Sequence, residues 1–386
     1  MKTTLLFLSV FLLVPFISYP QCFQKLYETE DSTSRVFAIH QDGSLWGWGY
    51  GYLGNSVEPS SFTPVVISNE NDWHKIYNSF VITLALKNDS TLWGWGANYS
   101  GQMMFENSVQ LVPFKLDNNK WISIASSWGR VFGIKADGTL WRWGDNWPNG
   151  NIINPLQVGN ESDWKLVNNS YSGISLIKDN GSLWLTEWQP SEVFNPQQFG
   201  SDVDWTNTYV KPGWQNENYG MKTNGQLIDL STNTEIVVGA QWLKVSCGEY
   251  SCMGIQTDGS LWGWGVNWNG ELGIGNTAEQ TLPVQVGFDS NWIDVAMNHE
   301  FCHVLKQDGS IYTMGSSSYL GISPPTSQAL VPTEIGGCTS SLTELTTSKN
   351  LIQILDMMGR ETTFKPNTHL IYVYDDGSTE KVFTIE

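Results

Sequence analysis

Basic residues are scarce in this 386-residue chain. It has 20 Lys and Arg against 38 Asp and Glu, a formal net charge of −18 at pH 7, and no cluster of basic residues. A surface this acidic repels phosphate backbones, so we expect no nucleic-acid partner. Charged residues make up 15% of the chain and hydrophobic residues 40%, which is the composition of a folded globular protein.

Catalytic and cofactor motifs are also missing. The sequence contains no HExxH, GxSxG, Walker or GxGxxG pattern, and no Asp-rich calcium loop with a closing Glu. His299 and His303 have the i,i+4 spacing of some metal sites, but His303 falls in a predicted strand and not in a helix. We therefore predict no enzyme, no metal site and no cofactor.

Long hydrophobic runs are absent except at the N-terminus. Lys2 precedes an apolar stretch, residues 5–17, which is too short for a resident membrane helix and is followed by a short polar segment. This pattern is typical of a signal peptide, which we place at residues 1–21; a buried N-terminal helix is the alternative. We expect a secreted or outer cell-surface protein with no transmembrane segment.

Cysteines are few, and their odd number, five, leaves at least one thiol unpaired. Cys22 lies just before the first repeat described below and Cys338 just after the last. A Cys22–Cys338 disulfide would join the two ends of a ring and stabilise it by about 4 kcal/mol in the chain-entropy model; alternatively Cys338 lies in a linker. Cys252 and Cys302 occupy equivalent repeat positions and are predicted to be small core residues.

One short motif recurs seven times. Its fullest form, Asp-Gly-Ser-Leu-Trp-Gly-Trp-Gly at residues 42–49 and 258–265, returns with small changes at 89–96 and 137–144. Weaker copies lie at 180–184, 224–227 and 308–312. A second marker, an aromatic residue followed three places later by an aliphatic one, precedes each copy, as in Trp73 and Ile76. The copy that begins at Trp205 is degraded. Two markers in the same phase indicate a repeat architecture.

Each repeat predicts four short strands. An apolar triplet leads into Asp-Gly or Asn-Gly, a dipeptide typical of a type I′ hairpin turn, and Leu-Trp begins the next strand. Ser90 replaces the turn glycine in the second repeat, so it is either strained or in another turn type. Each of several repeats ends in a Pro-containing stretch suited to an edge strand, as at Pro64 and Pro283. Four strands per roughly 45 residues, seven times, predict an all-β fold with a seven-bladed β-propeller.

Fifteen of the twenty tryptophans fall within the two repeat markers, nine in the Trp-x-Trp segment and six as the leading aromatic. In the Trp-x-Trp pair, alternation places both indoles on one face of the strand and the intervening residue on the other. We interpret these tryptophans as packing between blades, with the adjacent glycines permitting close approach of the next blade. They are therefore not evidence for a binding site.

Residues 258–273 give the repeat in full, and this string resembles the repeat of the regulator of chromosome condensation family. The short period and the Trp-x-Trp pair are more similar to its bacterial secreted branch, which includes a β-lactamase-inhibitory propeller. The resemblance covers about residues 23–336. It implies a seven-bladed ring used for protein–protein contact, mostly without catalysis.

The tail has none of the blade markers. We assign residues 22–338 to the propeller and residues 339–386 to a polar linker and a small β module. An Asp-x-x-Gly-Arg turn at Asp356, Gly359 and Arg360, followed by a hairpin around Asp376 and Gly377, resembles the C-terminal sorting domain of type IX secretion cargo. That resemblance implies contact with the type IX secretion machinery, then release or surface anchoring. A structural β-cap on the propeller is the alternative.

The loop after each Trp-x-Trp-Gly carries an aromatic residue that the packing does not require. These residues are Tyr52, Tyr99, Trp147, Trp268 and Tyr319. Equivalent loops project to one end of the ring, so we expect a shared aromatic rim, unless the side chains fold back over the blade ends. Exposed aromatic residues bind protein partners and also stack on sugars. We predict a non-catalytic protein-binding propeller; a glycan-binding or polysaccharide-acting propeller is the alternative.

Overall fold

The computed structural model describes most of residues 23–335 and parts of residues 351–383. The described ranges are 23–28, 35–56, 60–79, 81–106, 108–127, 129–146, 149–169, 173–187, 194–210, 218–316, 320–322, 328–335, 351–356, 360–362, 369–374 and 379–383. The predicted signal segment (1–21), Cys22, Cys338 and the predicted linker lie outside them, as do Trp147, Tyr319 and Gly359. Within these ranges every helix or strand element is a β-strand, with turns and loops between them. No helix long and apolar enough to span a membrane is found among these residues.

Residues 1–336 and 337–386 form two separate units. The first contains seven four-stranded antiparallel sheets in sequence order, which we number blades 1 to 7. Their strands are β1 Phe23–Glu28, β2 Arg35–His40, β3 Leu45–Tyr50, β4 Ser60–Ser68; β5 Trp73–Ser79, β6 Ile82–Lys87, β7 Leu92–Asn98, β8 Ser108–Lys115; β9 Trp121–Ser127, β10 Arg130–Lys135, β11 Leu140–Gly144, β12 Ile152–Val158; β13 Trp164–Asn169, β14 Gly173–Lys178, β15 Leu183–Glu187, β16 Gln197–Gln198; β17 Trp205–Val210, β18 Asn218–Lys222, β19 Leu227–Asp229, β20 Thr234–Glu235; β21 Trp242–Cys247, β22 Ser251–Gln256, β23 Leu261–Gly265, β24 Gln280–Gln285; β25 Trp292–Met297, β26 Phe301–Lys306, β27 Ile311–Gly315, β28 Ala329–Glu334. The predicted seven-bladed propeller is confirmed.

The first strands of the blades surround a central channel. Each contacts the first strand of the next blade, and β25 of blade 7 contacts β1 of blade 1, so the ring is closed. At this closure the backbone N–H of Leu26 donates to Asp294 Oδ2 at 3.0 Å, and Asp294 also pairs with Lys244. Trp48 lies against His303 with ring centroids 5.3 Å apart. The contacts between the first and last blades are therefore buried and partly polar.

The antiparallel strand order gives the ring two ends that carry different connections. The turn between the second and third strands and the connection to the next blade lie at one end, which we call the turn end. The loop between the first and second strands and the loop between the third and fourth lie at the other, which we call the rim end. Equivalent loops from all blades meet at the rim end because every blade has the same strand order.

The Asp-Gly turns differ from the type I′ prediction. In blade 1 the Gly43 N–H donates to the His40 carbonyl at 2.9 Å, and only the glycine has positive φ, at 85°. Asp42 instead accepts from the Ser44 N–H at 2.9 Å, which fixes a three-residue loop with a left-handed glycine. Ser90 keeps this turn with φ of 66°, so the strained alternative is the correct one.

The two tryptophans of each Trp-x-Trp pair have different roles, which corrects the prediction that both pack between blades. The second is buried against a neighbouring blade: Trp95 lies 5.6 Å from Phe37 of blade 1, and Trp143 Nε1 donates to the Gln102 carbonyl of blade 2 at 2.7 Å. The first is half-buried within its own blade, as Trp93 is against Trp73 at 5.9 Å. It is fixed at the turn end by a hydrogen bond from its indole to the turn Ser or Thr.

Close approach between blades occurs at a different glycine from those predicted. Gly54, with φ of 97°, lies so near Trp95 of blade 2 that an added Cβ would be 2.8 Å from the indole. Gly321 is equally placed against Trp48. Gly47, between the two tryptophans of blade 1, faces Phe37 of its own blade. In blades 1, 6 and 7, the Leu-Gly dipeptide at the end of the rim loop is therefore the point where side chains are excluded.

A lysine at the end of the second strand fills the turn end of several blades. Lys87 lies over Trp73 and Trp93, at 4.8 and 4.3 Å from their centroids, and pairs with Glu70 and Asp72. The same arrangement recurs in other blades, at Lys135, Lys178, Lys222 and Lys306. Cation–π contact and ion pairing together allow these charges to be largely buried.

Blade 5 is complete but short. The last two strands, β19 and β20, have three and two residues, in keeping with the degraded repeat at Trp205. Trp205 and Leu230 are still buried. Both side chains lie so close to Gly220 that an added Cβ at that glycine would contact each of them. The missing Trp-x-Trp pair therefore shortens the blade without removing it from the ring.

The cysteines of the ring follow the prediction in part. Cys302 is a fully buried core residue, as predicted, and it forms no disulfide. Cys252 is buried too, but it forms a disulfide with Cys247, its partner across the β21–β22 hairpin, which corrects its assignment as an unpaired core residue. The Cys22–Cys338 disulfide remains a prediction.

The second unit contains a three-stranded antiparallel sheet of β29 Leu351–Leu355, β30 His369–Tyr374 and β31 Thr379–Phe383. Asp356 and Arg360 close a turn directly after β29. The Asp356 N–H donates to the Arg360 carbonyl at 2.8 Å, and Arg360 Nε donates to Asp356 Oδ2 at 3.0 Å. The Asp and Arg of the predicted sorting motif therefore hold a local turn together.

Candidate binding surface at the rim end

Two equivalent rim loops, in blades 2 and 6, have the same internal hydrogen bonds. In blade 6 the Leu272 N–H donates to Asn267 Oδ1 at 3.0 Å, and the Asn269 N–H donates to Glu271 Oε2 at 2.8 Å. In blade 2 the corresponding bonds run from Met103 to Asn98 at 3.0 Å and from Ser100 to Gln102 at 2.8 Å. The buried Asn of each loop also donates to two backbone carbonyls on the far side of the loop. Both loops are therefore rigidly braced.

This bracing holds one aromatic side chain outward in each loop. Tyr99 follows Asn98 and is 55% exposed; Trp268 follows Asn267 and is 68% exposed. The Trp268 ring lies 6.2 Å from Tyr250, which comes from the loop between the first and second strands of the same blade. The structure thus places Tyr99 and Trp268 at equivalent exposed positions, in agreement with the sequence analysis.

The aromatic residues of blade 1 are arranged differently. Tyr52 directly precedes the buried Leu53, so it occupies the position of Gln102 and Glu271, not that of Tyr99. It is half-buried; burial raises its pKa, and the neighbouring phenols of Tyr99 and Tyr50 raise it further. Tyr50, which the sequence analysis missed, is 62% exposed. Tyr50, Tyr52 and Tyr99 therefore form a tyrosine cluster across blades 1 and 2.

A second group, also missed, surrounds Trp268. Tyr250 packs edge-on against His299 of blade 7 at 5.3 Å, and His299 Nδ1 lies 2.8 Å from Glu249 Oε2. Hydrogen bonding to Glu249 raises the pKa of Tyr250. These residues come from the loops between first and second strands of two adjacent blades. We call Glu249, Tyr250, Trp268 and His299 the blade 6–7 cluster; it combines exposed aromatic faces with a carboxylate.

The buried groups beneath this surface have structural partners. His303 is fully buried, and burial lowers its pKa to about 3; its Nε2 lies 3.1 Å from the Leu320 carbonyl and 3.3 Å from Trp48 Nε1. Glu271 is 1% exposed, and burial raises its pKa to about 7. In the described part of the chain, no group of three or more His, Cys, Asp or Glu side chains is placed to hold a metal ion.

Comparison with known proteins gives one repeat family. Residues 258–305 match the Regulator of chromosome condensation (RCC1) repeat. The Ultraviolet-B receptor UVR8 of Arabidopsis thaliana is 30% identical over 129 residues, which are 32% of this chain and 29% of that protein. The Protein RCC2 homolog of Xenopus laevis is 26% identical over 110 residues, which are 28% of this chain and 21% of that protein. The matches span less than a third of either relative.

Similar folds occur among solved structures at low sequence identity. Prp20p from Saccharomyces cerevisiae, whose crystal structure was reported with its binding properties to Gsp1p and histones, is 14% identical to this chain. The alignment covers 85% of this chain and 79% of Prp20p with a TM-score of 0.44. Together, the strand order of the ring and the matched repeat show that this chain is a seven-bladed β-propeller that carries an RCC1 repeat at residues 258–305.

Proposed function

We propose that this chain is an exported, non-catalytic binding protein that contacts a protein partner through the rim end of its propeller. The observation that carries the proposal is the pair of equivalent braced loops in blades 2 and 6. Each uses a buried Asn and an acid or amide side chain to hold one aromatic residue outward. A loop so constrained loses little conformational entropy when it binds.

The exposed residues are of the types that dominate protein interfaces. Tyr and Trp provide large rigid contact areas, and truncation of such a residue at the centre of an interface typically costs about 2 kcal/mol or more. Trp268 lies beside Tyr250, and His299, which packs on Tyr250, contacts Glu249, so an aromatic face and a carboxylate are available together. Aromatic faces flanked by carboxylates favour a partner that presents Lys or Arg side chains.

Export to the outside of the cell is part of the proposal. The N-terminal segment has the pattern of a signal peptide, and the Asp356–Arg360 turn with its three-stranded sheet supports the resemblance to a type IX sorting domain. We propose export by the signal peptide followed by type IX secretion, which ends in the medium or on the outer cell surface. Deletion of residues 342–386 should then leave the propeller in the periplasm, as cell fractionation would show.

The binding surface is tested with a double variant, Tyr99→Ala with Trp268→Ala, and a matched control. Phe288 is 99% exposed, but it lies at the turn end, in the connection from blade 6 to blade 7, so Phe288→Ala removes an aromatic side chain from the opposite end. Wild type and the control should retain the same proteins from the surrounding medium and cell surface, and the double variant should lose them.

Two outcomes contradict the proposal in different ways. If the double variant retains every protein that the wild type binds, the rim end is not the contact surface. If a glycan array instead gives a signal that only the double variant loses, the surface binds sugar and the glycan alternative is correct.

A further inference from the structure

The channel at the centre of the ring contains a cavity of about 240 Å³, formed by the first strands of all seven blades. Its wall is unusually polar for the centre of a protein. Residues four places after the leading aromatic of each first strand include three tyrosines and an asparagine, Tyr27, Tyr77, Tyr209 and Asn168. A cavity of this size accommodates a small molecule and no folded segment.

Three side chains in this wall carry buried polar atoms that have no hydrogen-bond partner among the described residues. Asn78 is 6% exposed and Ser126 is 9% exposed, and both line the cavity beside Tyr77. Within the described residues, neither the amide of Asn78 nor the hydroxyl groups of Tyr77 and Ser126 has a hydrogen-bond partner. A buried polar group left unpaired costs about 1–3 kcal/mol, so three such groups in one wall indicate a site that a polar ligand completes.

The same wall carries positive charge in an otherwise acidic protein. Lys75 and Lys244 line the cavity, and Lys25 lies near Lys75 but outside the lining. Three blades carry a lysine two places after the leading aromatic, at Lys25, Lys75 and Lys244. Lys244 pairs with Asp294, but among the described residues neither Lys25 nor Lys75 pairs with a carboxylate. Burial lowers the pKa of Lys25, and the neighbouring charge of Lys75 lowers it further.

We infer that the central channel binds a small molecule through a carboxylate or phosphate group. Lys75 supplies the positive charge, and Asn78, Ser126 and Tyr77 supply hydrogen bonds to the oxygens. Charge-assisted hydrogen bonds to an oxyanion are strong when they are partly desolvated, as they are in this channel. The cavity is lined by the first strands and not by the loops that carry Tyr99 and Trp268, so the inference stands whether or not those loops bind a protein.

The inference is tested by isothermal titration calorimetry of the purified full chain at constant ionic strength. Sodium phosphate and sodium citrate are the two probes that distinguish the possible oxyanions, and glucose is the uncharged control. We expect saturable one-to-one binding of at least one anion and none of glucose. Lys75→Met and Asn78→Leu should each weaken binding about tenfold or more, since hydrogen bonds to charged groups are worth about 1.5–3 kcal/mol.

The control removes the same charge elsewhere. Lys115, on the outer strand β8, contacts Asn118 and lies outside the cavity wall, so Lys115→Met should leave binding unchanged. Lys75→Arg should retain binding and show that Lys75→Met has not acted through misfolding. Absence of saturable binding by both anions, or equal weakening by Lys75→Met and Lys115→Met, would overturn the inference.

Discussion

Glu271 is the group whose replacement should change stability most clearly with pH. Its carboxyl is 1% exposed, and burial raises its pKa from the usual 4.5 to about 7, although hydrogen bonds from its own N–H and from Asn269 oppose this. The folded state therefore holds a proton that the unfolded state releases between pH 4.5 and pH 7. Stability that is present below pH 4.5 is lost as the pH rises through this window.

The magnitude follows from the pKa difference. At about 1.4 kcal/mol per pKa unit, a rise from 4.5 to about 7 makes ionised Glu271 cost about 3 kcal/mol at pH 8. Glu271→Gln keeps an acceptor for the Asn269 N–H without the charge. We expect it to raise the free energy of unfolding by about 3 kcal/mol at pH 8 and to change it little at pH 4.

The ring contains its own matched control for this experiment. Gln102 occupies the same position in blade 2, accepts from the Ser100 N–H at 2.8 Å and is 4% exposed. Gln102→Glu should therefore lower the free energy of unfolding at pH 8 and leave it nearly unchanged at pH 4. Urea titrations of both variants at the two pH values measure these differences. If the effect of Glu271→Gln is the same at pH 4 and pH 8, the reasoning is refuted.

Three further substitutions test the packing of the ring, each by urea unfolding. Ser90→Gly should stabilise the chain by about 1 kcal/mol because it relieves a left-handed conformation, with φ of 66°; a loss of stability would contradict this. Gly54→Ala should destabilise it by about 2–4 kcal/mol, since its Cβ would meet Trp95 at 2.8 Å with φ at 97°; a neutral effect would show that blades 1 and 2 separate easily. Asp294→Ala should cost about 3 kcal/mol because it removes the acceptor of the Leu26 N–H and the ion pair with Lys244, and a change below about 1 kcal/mol would show that these contacts do not close the ring.

The fold was predictable because its markers are local. The Asp-Gly turn fixes the end of one strand and the start of the next, and the leading aromatic fixes the first strand, so counting both gives the number of blades. A lysine two residues before the turn Asp or Asn in five of the seven repeats, as at Lys87 and Lys306, was also readable in the sequence. Its role depends on two aromatic rings from different strands, which only the folded blade brings together.

The rim was predicted less completely, for two physical reasons. Blade 1 has three residues between its Trp-x-Trp-Gly and the buried Leu53, residues 50–52, whereas blade 6 has six, residues 266–271. Alignment from the tryptophans alone therefore treats Tyr52 as the equivalent of Tyr99, although Tyr52 directly precedes Leu53 and is the equivalent of Gln102. The contact between Tyr250 and His299 joins loops of adjacent blades and depends on the angle between the blades, which no local pattern encodes.

The buried Cys247–Cys252 pair illustrates the same limit. Equivalence with Cys302 indicated a core position for Cys252, and that part was correct. The disulfide depends on the register of the β21–β22 hairpin, which places Cys247 directly opposite Cys252. Blade 7 has Met297 at the position of Cys247, so Cys302 forms no disulfide.

Site-specific photo-crosslinking in intact cells tests the rim most directly. A photoreactive phenylalanine analogue replaces Trp268, Tyr99 or the control residue Phe288 in turn, and crosslinked proteins are identified by mass spectrometry. The rim surface predicts that one protein is crosslinked from positions 268 and 99 and not from position 288, although Phe288 is the most exposed of the three. Crosslinking of the same protein from position 288 with none from 268 or 99 would contradict a contact surface at the rim end.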